Sequence, residues 1–440
     1  MSFRSWPLML SCHQPFLCCY KVRAARATTS IAPTGDPTAM SAEPDDALFR
    51  GKPPQHAGYV AICLGFGAGF SWEMAMITLW SFSKAAIEKA SVPTSLVVLT
   101  DTPQLLERHR AAIPSLRVQT YNLTVLRKVE RIERTLAPPD AGWFRFPLQA
   151  TYVQRFCRDA ELVLLFDLKD VLFQSSPFAL APRSNNGRPL DTLTSFTEMW
   201  QLRRGSWNHK KMAPFNRSYP QLINRIIDQK PLGLNDGLLM GPPRVVTRYV
   251  RELSSGVLGL KPAPAQLEGL DQGLHNILVY KTKLPMNQRE GGPREESAST
   301  AVPPHTIIAM NLQGNCPVLT MHMIDPNIYS CDSVDRAVPG SSIFRLRSVA
   351  SGEPFVMVHQ WNRAPETVQR AVLCHHRHLL SMSKLRCGPT TSCAPWKPEK
   401  LLVQPDEREV LQKFAYPRSW RGWCPGKKCT TEDTDKIGLL

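Results

Sequence analysis

The sequence lacks the usual signs of a nucleic-acid-binding protein. Its 53 lysines and arginines outnumber its 37 aspartates and glutamates, which gives a formal charge of +16 and a pI of about 9.4. These basic residues are scattered without a block of five or six, and the interleaved aromatic residues of a base-stacking surface are missing. We therefore expect no nucleic-acid partner. The excess charge suits a phosphorylated small molecule or an acidic membrane surface.

The first residues also lack an apolar run long enough to span a bilayer. The uncharged segment 5–20 is too short, and it contains Pro7 and Pro15. More positive charge follows this segment than precedes it, which is the wrong bias for a signal anchor with a cytoplasmic N-terminus. No acid occurs before Asp36, and Arg, Ser and Thr are frequent, as in an organelle transit peptide. Met40 is an alternative start. Membrane association therefore stays open.

The cysteines lack the spacing of a zinc site. The chain has 12 cysteines, but the later ones are spaced Cys387-x5-Cys393 and Cys424-x4-Cys429, and no His pair nearby completes a ligand set. Disulfides in an oxidising lumen are the better interpretation, with unpaired thiols in a loosely ordered tail as the alternative.

Two glycosylation sequons begin at Asn122 and Asn216, and they are compatible with the same secretory route. We therefore expect the Golgi or another secretory lumen. An organelle with a transit peptide, or the cytoplasm, are the alternatives.

The pattern of apolar segments predicts an α/β fold. Residues 1–56 are rich in Pro, Ala and Thr and indicate a leader or disordered segment. Residues 57–370 form the predicted globular domain, with a mobile polar loop at 285–304, and residues 371–440 form a Cys-, Pro- and basic-rich tail. Apolar strands at 59–64, 95–101 and 117–121 alternate with helices at 71–90 and 103–113. This alternation is typical of right-handed βαβ units and a mostly parallel sheet flanked by helices.

Further segments continue this pattern. We predict helices at 147–158, 243–253 and 269–280, strands at 161–167, 190–198 and 355–359, and a short apolar segment at 234–240. The glycines after the first strand do not form a dinucleotide fingerprint, because the sixth position counted from Gly65 is Phe70. They either let a nucleotide approach the strand end closely or form a plain tight turn.

The most informative feature is the end of the strand at 161–167. Five apolar residues lead into Asp167, and a second acid, Asp170, follows three positions later. A buried strand that ends in Asp places a carboxylate at the edge of the sheet where open α/β sheets bind ligands. Two such carboxylates can hold a hard divalent cation, which can bridge a diphosphate. The alternative is that both acids merely cap the turn.

The stretch 166–178, FDLKDVLFQSSPF, resembles the metal-binding strand end of GT-A glycosyltransferases. It is most similar to the eukaryotic group in which an Asp-x-basic-Asp segment continues into Val-x-Phe-Gln and Pro-Phe. Three later segments follow in the family's order: LNDGLLMG at 234–241, LDQGLHN at 270–276 and VHQWNR at 358–363. Together the four segments cover roughly residues 58–365.

This resemblance implies a set of site residues. Asp167 and Asp170 would hold the metal, Mn²⁺ or Mg²⁺, with His359 as the third ligand, and Lys169 would join the two acids in binding the diphosphate. Substrate would lie against Asn235, Asp236, Gly237 and Asn276, with Asp271 and Gln272 in the catalytic position. The chain departs from the common Asp-x-Asp motif, because its acids are three apart with Lys169 between them. It also carries Asp236 where the family usually has a small residue.

Purely structural roles remain open for several of these residues. His359 could be a structural histidine, and Asp271 could simply cap its helix. For Glu198 we expect a solvent-facing acid rather than a sugar contact. Arg145, Arg155 and Arg158 could meet phosphates or form a solvated helix face.

The resemblance implies an enzyme of the hexosyl- or pentosyltransferase class. It would move a sugar from a nucleoside-diphosphate sugar, with UDP favoured, to a hydroxyl of a glycan, protein or lipid. Retention or inversion of the anomeric centre stays open. The first alternative is an inactive GT-A scaffold or carbohydrate-binding protein, and a nucleotidyltransferase is a smaller one.

Overall fold

The structure is a computed structural model of the chain, which divides into the units Met1–Ser41 and Ala42–Leu440. All described residues belong to the second unit: 48–51, 53–65, 72–107, 110–122, 125, 141–260, 269–283, 305–308, 318–321, 329–331, 344–349 and 351–380. The predicted loop at 285–304, most of the predicted tail and its cysteines Cys387, Cys393, Cys424 and Cys429 lie outside these residues. Among the described helices, none is at once long and apolar enough to cross a membrane.

The predicted α/β architecture is confirmed by a central sheet of seven strands. Its strands are β1 (Ala57–Gly65), β2 (Thr94–Thr100), β3 (Leu116–Thr120), β4 (Asp159–Phe166), β6 (Leu193–Gln201), β7 (Leu232–Gly241) and β8 (His305–Ile308), in the order β3-β2-β1-β4-β7-β6-β8. β7 is antiparallel to both of its neighbours, and every other pairing is parallel. The sheet is therefore mostly parallel, as predicted.

Helices cover both faces of this sheet. They are α1 (Trp72–Phe82), which continues as a π-helical turn (Ser83–Ile87), α2 (Gln104–Glu107), α3 (Ala141–Phe156), α4 (Trp207–Met212), α5 (Pro220–Gln229), α6 (Pro243–Gly259), α7 (Leu270–Lys283) and α8 (Glu366–His375). Short 3-10 turns lie at Arg110–Ala112, Pro177–Leu180, Ala213–Phe215, Trp361–Arg363 and Arg377–Leu379. Two smaller sheets complete the fold, one of β5 (Val171–Phe173), β12 (Met357–His359) and β9 (Val318–Thr320), the other of β10 (Tyr329–Cys331) and β11 (Leu346–Ser348).

The strands are apolar on both faces because each face packs against its own core. Along β1, Ala61 and Cys63 face the core built with α1 and α8, whereas Val60 and Ile62 face the core built with α3, α5, α6 and α7. All four side chains are fully buried. A strand buried in this way reads as a continuous apolar run, which explains why β1, β2 and β4 are visible in the sequence.

Several predicted boundaries were wrong. The helix predicted at 147–158 spans Ala141–Phe156 and carries Pro147 inside it, although proline is commonest in the first turn of a helix. Of the helix predicted at 103–113, the described residues form α2 and a 3-10 turn. The strand predicted at 190–198 is β6, displaced to Leu193–Gln201, and β12 is shorter than the predicted 355–359.

Candidate active site

Asp167 and Asp170 converge at the carboxyl end of β4. Asp167 is the first residue after the strand, and its backbone N–H donates to Gly237 O on β7 at 2.9 Å. Asp170 immediately precedes β5, and its side chain is 7% exposed, against 35% for Asp167. The turn between the strands thus presents one accessible and one buried carboxylate.

His359 reaches the same place through β12. In the antiparallel pairing of β12 with β5, His359 lies opposite Val171, the residue that follows Asp170. The backbone N–H of Trp361 donates to Asp170 O at 3.3 Å, which fixes the chain just beyond the histidine. His359 Nε2 lies 3.7 Å from Asp170 Oδ1. Strand register therefore brings residues nearly 190 positions apart in sequence into one cluster.

This cluster fits a divalent cation. Asp167, Asp170 and His359 each offer a ligand atom, and these atoms lie within 4.8 Å of one another. Asp170 Oδ1 is buried without a hydrogen-bond partner among the described residues, an arrangement that is costly unless a cation is bound. Burial raises the pKa of both aspartates, and the neighbouring Asp170 raises that of Asp167 further. A cation would offset these penalties.

The imidazole of His359 is neutral at physiological pH. Its burial lowers its pKa to about 4, so the ring carries one N–H and one lone pair. Asn235 on β7 contacts this ring: its Nδ2, which can only donate, lies 2.7 Å from His359 Nδ1 and 3.2 Å from Nε2, so a metal ligated by His359 would take the lone pair from this amide. The Oδ1 of Asn235 accepts from Gly237 N at 2.6 Å, which fixes which end of the amide faces the histidine.

Arg145 on α3 joins this cluster to a second group of acids. Its Nη1 lies 2.5 Å from Asp167 Oδ1, and its Nη2 lies 3.0 Å from Asp236 Oδ2 and 3.5 Å from Asp271 Oδ2. Burial works against the charge of Arg145, but the three carboxylates outweigh it and raise its pKa above the ordinary value. One guanidinium thus links the edge formed by β4 with β7 and with the start of α7.

Asp236 and Asp271 form a close carboxylate pair. Both side chains are about nine-tenths buried, and burial together with Asp236 raises the pKa of Asp271 well above its usual range. Asp271 Oδ1 also accepts from the backbone N–H of Gln272 at 3.0 Å. Asp271 therefore contacts both the backbone N–H of Gln272 near the start of α7 and the guanidinium of Arg145.

Next to this pair, Gln272 binds Glu198 of β6. Gln272 Nε2 lies 2.8 Å from Glu198 Oε2 and 3.2 Å from Asn208 Oδ1 on α4. Burial, with the neighbouring Asp236, raises the pKa of Glu198 to about 7. The expectation of a solvent-facing Glu198 was therefore wrong, because β6 extends past this residue and directs it towards α7.

Gly237 is glycine because Asp167 fills the space where a side chain would lie. A Cβ built on Gly237 would collide with Asp167 Oδ2, and it would lie 2.7 Å from Asp167 Cγ and 3.0 Å from Asn235 Oδ1. The predicted Asn-Asp-Gly segment thus acts through three contacts: Asn235 with the histidine, Asp236 with the arginine, and Gly237 by leaving room for the first aspartate.

The remaining predicted residues occupy the edges of this cluster. Asn276 is fully buried, accepts from Leu234 N at 2.9 Å and donates to Gln272 O at 2.7 Å, so it ties α7 to β7. Its contact with substrate stays a prediction. Lys169, which separates the two aspartates in sequence, is half-buried, and its charge lowers the pKa of Asp170 against the larger effect of burial.

The sequence did not single out Arg145 or Glu198 as site residues. Arg145 carried the same local signal as Arg155 and Arg158, and those two lie near the far end of α3 or just beyond it. Arg158, for example, is exposed, and its Nε donates to Gln154 O at 2.9 Å. Only the sheet topology distinguishes the three arginines.

Comparisons with known proteins give a distant likeness in fold. The sequence matches no protein-family model, and no curated protein matches it. Among solved structures, the chain is similar to mouse xyloside xylosyltransferase 1 in its apo form, with a TM-score of 0.35 and 17% sequence identity. The match covers 52% of this chain and 83% of that chain. So distant a likeness says nothing about substrate.

Proposed function

We propose that this chain is a glycosyltransferase that moves a sugar from a nucleoside-diphosphate sugar to a hydroxyl acceptor with the help of a divalent cation. The observation that carries this proposal is the convergence of Asp167, Asp170 and His359 at the carboxyl edge of a mostly parallel sheet. That edge is where open α/β sheets bind nucleotides. The motif resemblance of the same residues to GT-A enzymes supports the assignment.

In this proposal the three ligands hold Mn²⁺ or Mg²⁺. The cation, when bound, would neutralise the charge that develops on the leaving diphosphate. Asp167 and Asp170 offer hard oxygen ligands, and the neutral His359 offers nitrogen, a set that Mn²⁺ accepts readily. Lys169 is placed next to them as a point charge for a phosphate oxygen.

The sugar and acceptor would lie along β7 and the start of α7. Asp236, Asp271 and Gln272 present carboxylate and amide groups there, and such groups bind sugar hydroxyls. Glu198, whose pKa lies near 7, is a candidate to accept the proton of the acceptor hydroxyl. If that proton instead goes to the leaving phosphate, Glu198 would serve only to hold Gln272 in place.

Ligand-induced stabilisation tests this proposal. The unfolding temperature is measured with each of a panel of UDP- and GDP-sugars, with and without Mn²⁺, and the true donor should raise it. A ligand at a hundred times its dissociation constant adds about 2.7 kcal/mol to the free energy of unfolding. The Asp167→Asn variant should lose the metal-dependent part of the shift, because an amide is a far weaker ligand than a carboxylate.

Asp159→Asn is the matched control. Asp159 is the exposed first residue of the same strand, about 26 Å from Asp167 at the usual rise per residue. This variant should respond like the parent. An equal response from Asp167→Asn and the parent would remove the assigned metal role. Binding of a donor without any Mn²⁺-dependent hydrolysis would favour the carbohydrate-binding alternative.

A further inference from the structure

Arg145 occupies a position in which its two terminal nitrogens serve different groups. Nη1 contacts Asp167, one of the residues that fit a cation, whereas Nη2 contacts Asp236 and Asp271. Within the described part of the chain, Nε of Arg145 has no hydrogen-bond partner. The guanidinium is therefore held through the two ends of its fork, and loss of one end leaves the other in place.

A cation bound to Asp167 would weaken the contact between Arg145 Nη1 and Asp167. A carboxylate oxygen that ligates a divalent ion shares its charge with that ion, and the ion repels a guanidinium a few ångströms away. The Arg145 side chain is only 15% exposed, so solvent screens this repulsion weakly. Asp236 and Asp271 are about as well buried, and they keep their attraction for Nη2.

We propose that Arg145 and a divalent cation compete for the Asp167 carboxylate, so that cation binding shifts the guanidinium onto Asp236 and Asp271. This inference rests on the proposed metal site. It makes Arg145 a positioning residue that couples the metal side of the site to the sugar side. The coupling is reciprocal, since whatever draws Arg145 towards Asp236 and Asp271 also favours the cation.

The test is a Mn²⁺ titration of the full chain without nucleotide, at fixed ionic strength. Calorimetry gives the dissociation constant, and thermal unfolding gives the stabilisation. Arg145→Gln removes the competitor and should bind Mn²⁺ at least tenfold more tightly than the parent. A merely structural role predicts the opposite, because disordering of the site would weaken binding. A folded variant with equal or weaker affinity overturns the proposal.

Arg158→Gln is the matched control, since it removes the same charge about 20 Å further along the chain direction of α3. It should bind Mn²⁺ like the parent. Should Arg145→Gln not fold without metal, Mn²⁺ should restore its folding, and failure to do so counts against the proposal.

Arg145→Lys keeps the charge but loses the fork. It should bind Mn²⁺ with intermediate affinity, and a value equal to the parent's contradicts the competition. If neither the parent nor any Arg145 variant binds Mn²⁺, the metal site itself fails, and both proposals fail with it.

Discussion

The substitution Gly237→Ala tests the architecture of the site most directly. Gly237 lies on β7 beside the end of β4, where its carbonyl accepts the backbone N–H of Asp167 at 2.9 Å. An added methyl would collide with Asp167 Oδ2 and would lie 2.7 Å from its Cγ. Real Cβ contacts are longer than 3.0 Å. Either the carboxylate rotates away or the two strands separate.

The magnitude follows from which of these happens. Overpacking a tight site costs about 1–3 kcal/mol of stability. The Asp167 side chain moves more easily than the two paired strands, because it is 35% exposed and can turn towards solvent. We therefore expect a stability loss near the lower end of that range, about 1 kcal/mol. Mn²⁺ binding should weaken by tenfold or more, because the ligand leaves its place.

Urea unfolding and Mn²⁺ titration measure the two effects separately. Gly259→Ala is the control, because a Cβ there meets nothing within 4 Å and the residue ends α6. That variant should be unchanged or more stable by about 0.5–1 kcal/mol, as a helical alanine is relative to glycine. If Gly237→Ala binds Mn²⁺ as tightly as the parent, Asp167 does not hold the metal in the way its position indicates.

Three further predictions use other contacts. The pKa of Glu198 rises from 4.5 to about 7 on folding, so its contribution to stability is present below pH 4.5 and is lost as pH rises through 7. Between pH 5 and 8, the free energy of unfolding of Glu198→Gln should therefore fall by about 1–2 kcal/mol less than that of the parent, as measured by urea unfolding. Identical pH profiles would contradict this. Asn235→Ala should cost about 1–3 kcal/mol in urea unfolding, because the buried backbone N–H of Gly237 loses its acceptor; an unchanged free energy of unfolding would contradict this. Gly273→Ala should destabilise the fold by about 1–3 kcal/mol, since its Cβ would collide with the backbone oxygen of Lys211; thermal unfolding at or above the parent temperature would refute that packing.

The sequence predicted the parallel half of the sheet because its signal is local. β1, β2 and β4 are apolar on both faces, and each is followed by a helix or by a turn with distinctive residues. β7 could not be predicted as antiparallel, because its direction depends on pairing with strands far away in sequence. Nothing local in Leu234 to Met240 distinguishes the two directions.

The same division explains what could be predicted of the site. Asp167 and Asp170 follow a strongly apolar strand, so their place at its end follows from the sequence alone. His359 required a strand of three residues to find its register beside Val171. Arg145 required the helix to begin six residues before its proline. Such features depend on long-range packing, and no pattern within a short window encodes them.

The charge balance of the site gives a reason for the unusual acid spacing. Asp167, Asp170, Asp236 and Asp271 gather at one edge of the sheet, although the chain as a whole carries a formal charge of +16. Carboxylates gathered this closely repel one another unless cations lie among them. Arg145 supplies one such charge between the two groups of acids, and Lys169 supplies another that acts on Asp170. A lysine within the motif is therefore compatible with the proposed metal site, because it would reduce the excess negative charge that the proposed diphosphate would meet.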